Sequence, residues 1–204
     1  MPIMPTRKNP AALEGNRVHL RPPRQTDQRA FIAQARNSRP LHGAWVQPPD
    51  TPTAFAAYVT RYGLAGADAR NVGFLVIRSE DDALAGAVNF SEIIRGGFQS
   101  AYVGYYAFAP FAGGGYMGEA LACALDFVFL ALKLHRIEAN VQPANSRSIA
   151  LAERVGFTRE GYSRRYVKIA GRWRDHLRFA ILAEDWKKHR LALRAQRALA
   201  ASRG

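Results

Sequence analysis

The feature that most constrains how this chain can fold is the glycine-rich segment 113–118, in which four of the six residues are glycine. It separates a strand-like run at 101–108 from a helical run that begins near residue 116. In the helical run, apolar residues recur every three or four positions, at Leu121, Leu125, Val128, Phe129 and Leu132. A glycine loop that opens a helix leaves backbone N–H groups unpaired at the positive end of the helix dipole, so the segment predicts an anion-binding site. A flexible turn, in which the glycines only permit positive φ angles, is the alternative.

The length of the chain predicts a single domain, and its cysteine content predicts a reducing compartment. With 204 residues, of which 48% are hydrophobic, the chain can bury a core without disulfides or metals. The single cysteine, Cys123, excludes an intrachain disulfide and a cysteine metal cluster. No apolar run approaches the length of a membrane span, and the N-terminal residues lack the apolar core of a signal peptide. We therefore expect a cytoplasmic protein without membrane contact.

The formal net charge of +13 indicates an anionic partner, such as a phosphorylated cofactor, RNA or the ribosome. Part of this charge follows Asp185, where the sequence has six basic residues and no acidic one. A solvated basic helix and an arm that contacts RNA or the ribosome both fit that composition. The tail lacks aromatic residues, so base stacking is not indicated.

Periodicity and turn signals predict a single α+β sheet. Strands are predicted at 18–21, 73–78, 84–94, 100–108, 136–141, 162–169 and 173–182, and helices at about 26–36, 53–64, 116–133 and 145–154. The resulting order is β-α-α-β-β-β-α-β-α-β-β. We expect residues 1–15 to be a flexible N-terminal segment, 16–186 to be the domain, and 187–204 to be a basic helical tail.

Three segments together resemble the GCN5-related N-acetyltransferase (GNAT) superfamily, and the last of them its ribosomal-protein-alanine N-acetyltransferase (RimJ/RimL) branch. They are the glycine loop, the strand-to-helix element 140–151 with Glu153-Arg154-Val155-Gly156-Phe157 after it, and Gly171-Arg172-Trp173-Arg174-Asp175-His176. The resemblance implies a mixed, mostly antiparallel central sheet with helices on both faces. It also implies transfer of an acetyl group from acetyl-CoA to an amine, with no metal ion.

The resemblance assigns cofactor-binding roles to two loops and one strand. The family's pyrophosphate loop is usually Gln/Arg-x-x-Gly-x-Gly/Ala, and 112–117 matches only its central glycine. Backbone amides would bind pantetheine and the thioester at Tyr106, Ala107 and Phe108, and pyrophosphate at Gly113, Gly114, Gly115, Tyr116, Met117 and Gly118. Asn145 would bind the pantetheine arm, cap the following helix, or do both.

Catalytic roles also follow from the resemblance, except for the base. Ser148 occupies the position of the serine that protonates the departing thiolate, with an ordinary first-turn serine as the alternative. The tyrosine used by many members is absent near Ala152, which draws attention to Tyr166. Glutamates of related branches are replaced here by Asn140 and Val167, so Glu92 is the first candidate for the base, followed by Asp175 and Glu138. A structural or solvent-facing role is the alternative for each of the three.

The acceptor amine is open at this stage. The hypothesis is the N-terminal α-amine of a protein, plausibly ribosomal, whose reference pKa of about 7.7–8.0 leaves a fair neutral fraction near pH 7. A small-molecule amine and a non-catalytic module that binds acyl-CoA or ribosomes are the alternatives. His176 and Trp173, with Asp175, would line the acceptor site or pack on the last strand. The oligomeric state, monomer or dimer, is left open.

Overall fold

A computed structural model describes residues 13–43, 45–63 and 69–191. Its central sheet has the strand order β1-β2-β3-β4-β5-β6-β8-β7. The strands are β1 (Leu13–Glu14), β2 (Val18–Arg21), β3 (Val72–Arg78), β4 (Leu84–Ile94), β5 (Ser100–Ala107), β6 (Arg136–Val141), β7 (Thr158–Ile169) and β8 (Arg172–Leu182). Strands β5 and β6 are parallel, and the other neighbouring pairs are antiparallel.

Helices precede the meander and alternate with the later strands. They are α1 (Gln28–Asn37), α2 (Arg39–His42), α3 (Pro52–Tyr62), α4 (Tyr116–Asp126) and α5 (Ser146–Val155). Helix α4 continues as a π-helical turn over Phe127–Ala131, and residues 183–191 are helical after β8. Thr51 caps α3 and Asn145 caps α5 through their side-chain oxygens.

The sheet is buried on both faces, because side chains of a strand alternate between its two sides. On one face, Leu121 and Leu125 of α4 and Val155 of α5 belong to the larger apolar cluster. On the other face, Phe31 of α1 and Phe55 of α3 belong to a second cluster. This double cover explains why β3 is apolar from Val72 to Ile77 instead of alternating.

Strands β5 and β6 separate partway along their length, and this separation creates the site. Their paired register runs only from Ser100↔Arg136 to Val103↔Ala139. Strand β5 continues to Ala107 while hydrogen-bonded to β4, whereas β6 follows β8 to Val141. The unpaired ends therefore diverge and leave a gap in the sheet.

The predicted element order and the α+β class are confirmed, and two short elements were missed. Strand β1 lies inside the predicted flexible segment 1–15 and pairs with β2. Residues 1–12 of that segment lie outside the described part of the chain. Helix α2 forms at Pro40, between the helices predicted at 26–36 and 53–64, where no element was predicted; a proline in the first helical turn loses no hydrogen bond. The predicted tail is helical to residue 191, and 192–204 lie outside the described residues.

Candidate active site

A cavity of about 930 Å³ occupies the gap between β5 and β6. The diverging strand ends, the glycine loop, the first turn of α5 and the segment around α2 form its walls. Such a volume suits a cofactor-sized ligand. The predicted residues that line it are Tyr106, Ala107, Gly113, Gly115, Met117, Gly118, Asn145 and Ser148.

The glycine loop lines part of this cavity with backbone groups of the kind that suit an anion. Gly113 and Gly115 have φ angles of 85° and 81°, which glycine adopts without strain. Gly115 then precedes the first residue of α4, where the helix dipole is positive. Among the described residues, the amides of Gly113, Gly115 and the first three residues of α4 have no hydrogen-bond acceptor. Free N–H groups at the start of a helix are able to bind phosphate.

Arg17 supports the glycine loop from outside the cavity. Its Nη1 donates to the carbonyl oxygen of Gly114 at 3.1 Å, and its guanidinium lies 4.9 Å from the centre of the Tyr116 ring. The same side chain pairs with Glu119, which also accepts hydrogen bonds from the backbone of Asn16 and Arg17. A contact between residues 97 positions apart leaves no local signal in the sequence.

Met117 is accommodated by a glycine on a neighbouring strand. The family loop usually has a small residue at this position, and Met117 is 9% exposed. A Cβ atom added at Gly86 would lie 2.7 Å from the Met117 sulfur and 2.4 Å from the carbonyl oxygen of Tyr106. The absence of a side chain at Gly86 therefore makes the space for the larger residue.

Ser148 forms a hydrogen-bonded unit with Tyr105 on the wall formed by α5. Its Oγ donates to the Tyr105 hydroxyl at 3.1 Å, and that hydroxyl donates to the Ser148 carbonyl oxygen at 3.2 Å. The Ser148 amide donates to Asn145 Oδ1 at 3.2 Å, so the predicted cap is present. Burial raises the pKa of the Tyr105 phenol, which keeps it protonated near neutral pH. The sequence did not single out Tyr105.

The opposite face of the sheet carries His176, Tyr102 and Tyr166. His176 and Tyr102 line the cavity, and the Tyr166 ring lies 6.2 Å from the His176 ring. The hydroxyls of Tyr102 and Tyr166 are 3.4 Å apart, and that hydrogen bond, with burial, raises the pKa of Tyr102 to about 12. Burial lowers the pKa of His176, so its imidazole is neutral at pH 7.

A family model described as "Acetyltransferase (GNAT) domain" matches residues 17–158. The chain belongs to the GNAT acetyltransferase family. The probable N-acetyltransferase YjcK of Bacillus subtilis is 45% identical over 112 residues, which are 55% of this chain and 62% of that protein. The [ribosomal protein uS5]-alanine N-acetyltransferase of Escherichia coli is 40% identical over 107 residues, 52% of this chain and 55% of that protein. The match thus spans less than two thirds of either relative's own length.

Solved structures show the same fold. A structure of Mycobacterium smegmatis RimJ in complex with CoA-disulfide superposes with a TM-score of 0.77 and 31% identity, over 86% of this chain and 88% of that one. The chain is therefore RimJ-like within the GNAT family. The predicted family, branch and fold class are confirmed by these similarities.

Three predicted cofactor-binding positions of this GNAT domain do not line the cavity. Phe108 is fully buried beside the Phe31 ring, and its amide donates to the Ala85 carbonyl oxygen at 2.8 Å. The amide of Gly114 donates to the Phe111 carbonyl oxygen, and Tyr116 packs on Arg17 instead. The strand prediction extended one residue too far, since β5 ends at Ala107.

None of the predicted carboxylate bases lies on the cavity wall. Glu92 sits where β4 bulges out of register, with a φ of 50°, and its 61% exposed side chain lies 3.6 Å from Arg61. Asp175 accepts hydrogen bonds from Tyr162 and the Arg165 amide. Glu138 forms salt bridges with two arginines of its own sheet, Arg136 and Arg178. The structure thus removes Glu92 from the site because the bulge turns it toward solvent.

Two arginines of α5 supply positive charge to the cavity. Arg147 and Arg154 both line it, and among the described residues neither has an ion-pair partner. Over 13–43, 45–63 and 69–191, no cluster of His, Cys, Asp and Glu could hold a metal ion. Within the same residues, no helix is long and apolar enough to cross a membrane.

Proposed function

We propose that this GNAT domain transfers the acetyl group of acetyl-CoA to the N-terminal α-amine of a protein whose first side chain is small and uncharged. The observation that carries the proposal is a cofactor-sized cavity with free amides at one end and, among the described residues that line it, no aspartate or glutamate. The Escherichia coli relative named above acts on a ribosomal protein, and the Mycobacterium smegmatis structure contains CoA; the two similarities support both halves of the proposal.

The fit to CoA rests on the chemistry of the cavity wall. Free amides of Gly113 and Gly115, with the start of α4, suit a pyrophosphate. Arg147 and Arg154 line the same cavity without an ion-pair partner in the part of the chain that the structure describes, and they suit further phosphate groups. The gap between β5 and β6 leaves strand-edge groups free for an extended, amide-containing arm. When bound, acetyl-CoA supplies the acetyl group as an activated thioester.

Ser148 is the proton donor in this proposal, and Tyr105 is its partner. The two hydroxyls are in contact, and the raised pKa of Tyr105 keeps a proton available on the phenol. When Ser148 Oγ donates to a sulfur atom, the hydrogen bond can reverse so that Tyr105 donates to Ser148 Oγ. The pair would therefore supply a proton while its own oxygen atoms stay hydrogen-bonded.

The lack of a carboxylate favours an α-amine over a lysine or a polyamine. A polycationic amine would enter a cavity whose charged lining residues are Arg147 and Arg154, without an acidic group to pair with it. An α-amine has a pKa of about 7.7–8.0, whereas a lysine amine has about 10.4, so only the α-amine has a sizeable neutral fraction at pH 7. A neutral nucleophile needs no acidic pocket.

Apolar side chains form part of the cavity wall that also carries His176. They come from the α2 segment and from the end of β7, and they are Leu41, Trp45, Val46, Val167 and Ile169. Such a wall accepts the methyl of alanine or the small side chain of serine, and it disfavours a charged first residue because that charge would be buried unpaired. This chemistry supports an Ala- or Ser-initiated acceptor.

We also propose that the protein associates with the ribosome, and the β7–β8 hairpin supports this association. Residues 164–175 contain five basic residues and one acidic residue. Trp173 at its tip is 60% exposed and pairs across the strands with Lys168. A basic, aromatic surface beside the cavity suits contact with RNA near a nascent N-terminus.

The decisive experiment measures release of the CoA thiol from acetyl-CoA against a panel of amines. The panel has matched peptides that begin with Ala, Ser, Met or Asp, an N-terminally blocked peptide with one lysine, spermidine and an aminoglycoside. We expect turnover on the Ala and Ser peptides, with mass spectrometry locating one acetyl group on the α-amine. Turnover only on spermidine or the aminoglycoside would replace the proposal by a small-molecule acetyltransferase. CoA binding without turnover on any amine would leave a binding module.

A further inference from the structure

The cavity wall lacks a carboxylate among the described residues, yet the acceptor amine must lose a proton during acetylation. We propose that His176 is the catalytic base and that its Nε2 accepts the proton of the acceptor amine. This proposal rests on the acyl transfer proposed above. It concerns a residue that the sequence associated only with lining or packing.

The tautomer of His176 is fixed by its hydrogen bond. Nδ1 lies 3.0 Å from the carbonyl oxygen of Arg174, and because a carbonyl only accepts, Nδ1 carries the proton. Nε2 therefore holds the lone pair. Among the described residues, Nε2 has no hydrogen-bond partner, although the side chain lines the cavity. A basic nitrogen that is oriented by its other ring atom and left without a partner is suited to take a proton.

His42 is the other histidine on the cavity wall, and it is less suited to this role. Its Nε2 contacts the Ala107 carbonyl oxygen at 2.8 Å, so its lone pair is on Nδ1. Nδ1 of His42 is enclosed by protein atoms without a partner, whereas Nε2 of His176 is not among the enclosed atoms. Proton transfer requires contact with the amine or with one bridging water, which favours His176.

His176 and Ser148 lie on opposite faces of the sheet. Leu177, the neighbour of His176, is in the cluster under α4 and α5, so His176 points to the other face. Tyr105, which contacts Ser148, packs against that same α4–α5 cluster. The gap between β5 and β6 therefore has a proton acceptor on one side and a proton donor on the other.

The charged side chains near His176 have partners of their own and do not bind its Nε2. On its own strand, Asp175 is bound by Tyr162 and the Arg165 amide. Arg178, also on β8, pairs with Glu138 of β6, and its guanidinium lies over the Tyr166 ring of β7. The Tyr166 hydroxyl in turn contacts the hydroxyl of Tyr102 on β5. Burial lowers the pKa of His176 more than Asp175 raises it, so the imidazole is unprotonated at the pH where an α-amine reacts.

The step balances in atoms and protons. The amine nitrogen forms a bond to the acetyl carbon as the carbon–sulfur bond breaks. The nitrogen loses one proton to His176 Nε2, and the sulfur gains one from Ser148 Oγ. His176 then releases its proton to solvent, Ser148 regains a proton from the Tyr105 phenol, and Tyr105 takes one from solvent in the cavity. No oxidant, reductant or metal is required.

The test compares His176→Gln with His135→Gln, a histidine that is 53% exposed at the opposite end of β6. On any amine of the panel that the wild type acetylates, we expect kcat to fall at least about 100-fold in His176→Gln and to be unchanged in His135→Gln. CoA affinity, measured by calorimetry, should be retained in both variants. In the wild type, log(kcat/KM) should steepen from slope one to slope two at acid pH, and His176→Gln should lose that second break.

Two further measurements separate a base from a structural residue. Added imidazole should restore part of the activity of His176→Ala, with a pH dependence that follows the added base. Nitrogen-15 NMR of labelled histidine should show the Nδ1–H tautomer at His176 in the unliganded protein. An unchanged kcat or second break in His176→Gln, or an Nε2–H tautomer, would overturn this role while leaving the acetyltransferase proposal intact. Absence of turnover on every amine would overturn both.

Discussion

Ser148 Oγ lies 3.1 Å from the Tyr105 hydroxyl, and the two groups face the cavity between β5 and β6. Helix α5 places Ser148 in its first turn, where Asn145 fixes the backbone. Strand β5 places Tyr105 beyond the point where its pairing to β6 ends. Neither residue would meet the other without that divergence of the strands.

Removal of either hydroxyl should lower the rate of the chemical step more than it lowers the affinity for acetyl-CoA. We expect Ser148→Ala to lower kcat by about 100-fold, and Tyr105→Phe by less, because Ser148 then keeps its hydroxyl but loses its partner. The KM for acetyl-CoA should change little in both. Steady-state kinetics on an Ala-initiated peptide measures this. A kcat equal to that of the wild type in Ser148→Ala would exclude the acid role.

Arg17 should set the affinity for CoA without touching it. Arg17→Gln removes the hydrogen bond to the Gly114 carbonyl and the pairing with Glu119, so the loop loses its external support. One partly exposed hydrogen bond corresponds to a rise of about 2–10-fold in the Kd for CoA. Isothermal titration calorimetry measures it, with Arg29→Gln on α1 as a charge-matched control. Equal Kd values in the two variants would contradict this role.

Phe108 should prove to be a core residue and not a cofactor contact. Phe108→Ala leaves a cavity between α1 and the sheet, and we expect the free energy of unfolding to fall by about 3–5 kcal/mol. Phe108→Leu should cost less and keep CoA affinity within about threefold, since only the side chain changes. Urea unfolding and calorimetry measure the two quantities. A large loss of CoA affinity in a stable Phe108→Leu protein would restore the original assignment.

Thermal stability should fall as the pH drops from about 6.5 toward 5. Burial lowers the pKa of His42 and His176, so the unfolded chain binds protons in a range where the folded protein does not. The stability due to the two neutral imidazoles is therefore complete above about pH 6.5, the unfolded value, and is lost as pH falls through their folded pKa values.

Carboxylates do not account for this window. Hydrogen bonds from arginines lower the pKa values of Asp81 and Glu160, so their contribution disappears only at lower pH, below their unfolded values of about 4. Scanning calorimetry from pH 7.5 to 5.0 should show a smaller change in Tm for the His42→Gln/His176→Gln double variant than for wild type. An equal change in both proteins would exclude the two histidines as its source.

Much of the fold could be predicted from local patterns. The bounds of β4 (Leu84–Ile94) and β6 (Arg136–Val141) match the prediction, because alternation, turn glycines and β-branched residues act over a few neighbours. The glycine loop was also found locally, since its backbone geometry depends on its own residues. The π-helical turn at Phe127–Ala131 lies within the predicted helix 116–133, but its type was not predicted, because apolar spacing alone does not distinguish it from an α-helix.

The candidate catalytic residues were harder to predict from the sequence than the fold. Glu92 was chosen by residue type and position along a strand, but a one-residue irregularity in β4 turned it to solvent. Such a bulge moves the side chains that follow it to the opposite face of the strand. The residue pattern of 84–94 does not predict the bulge. Arg17 and Tyr105 were missed because their partners lie 97 and 43 residues away.

The sequence by itself determined the element order, the position of the glycine loop and the Asn145 cap, because these depend on backbone geometry set by neighbouring residues. Only the tertiary structure decided which groups face the cavity. The divergence of β5 from β6 brings Ser148 to Tyr105, and the pairing of β8 with β6 sets His176 on the other side of the gap. Those placements depend on long-range strand register, in which a shift of one residue moves a side chain to the opposite face.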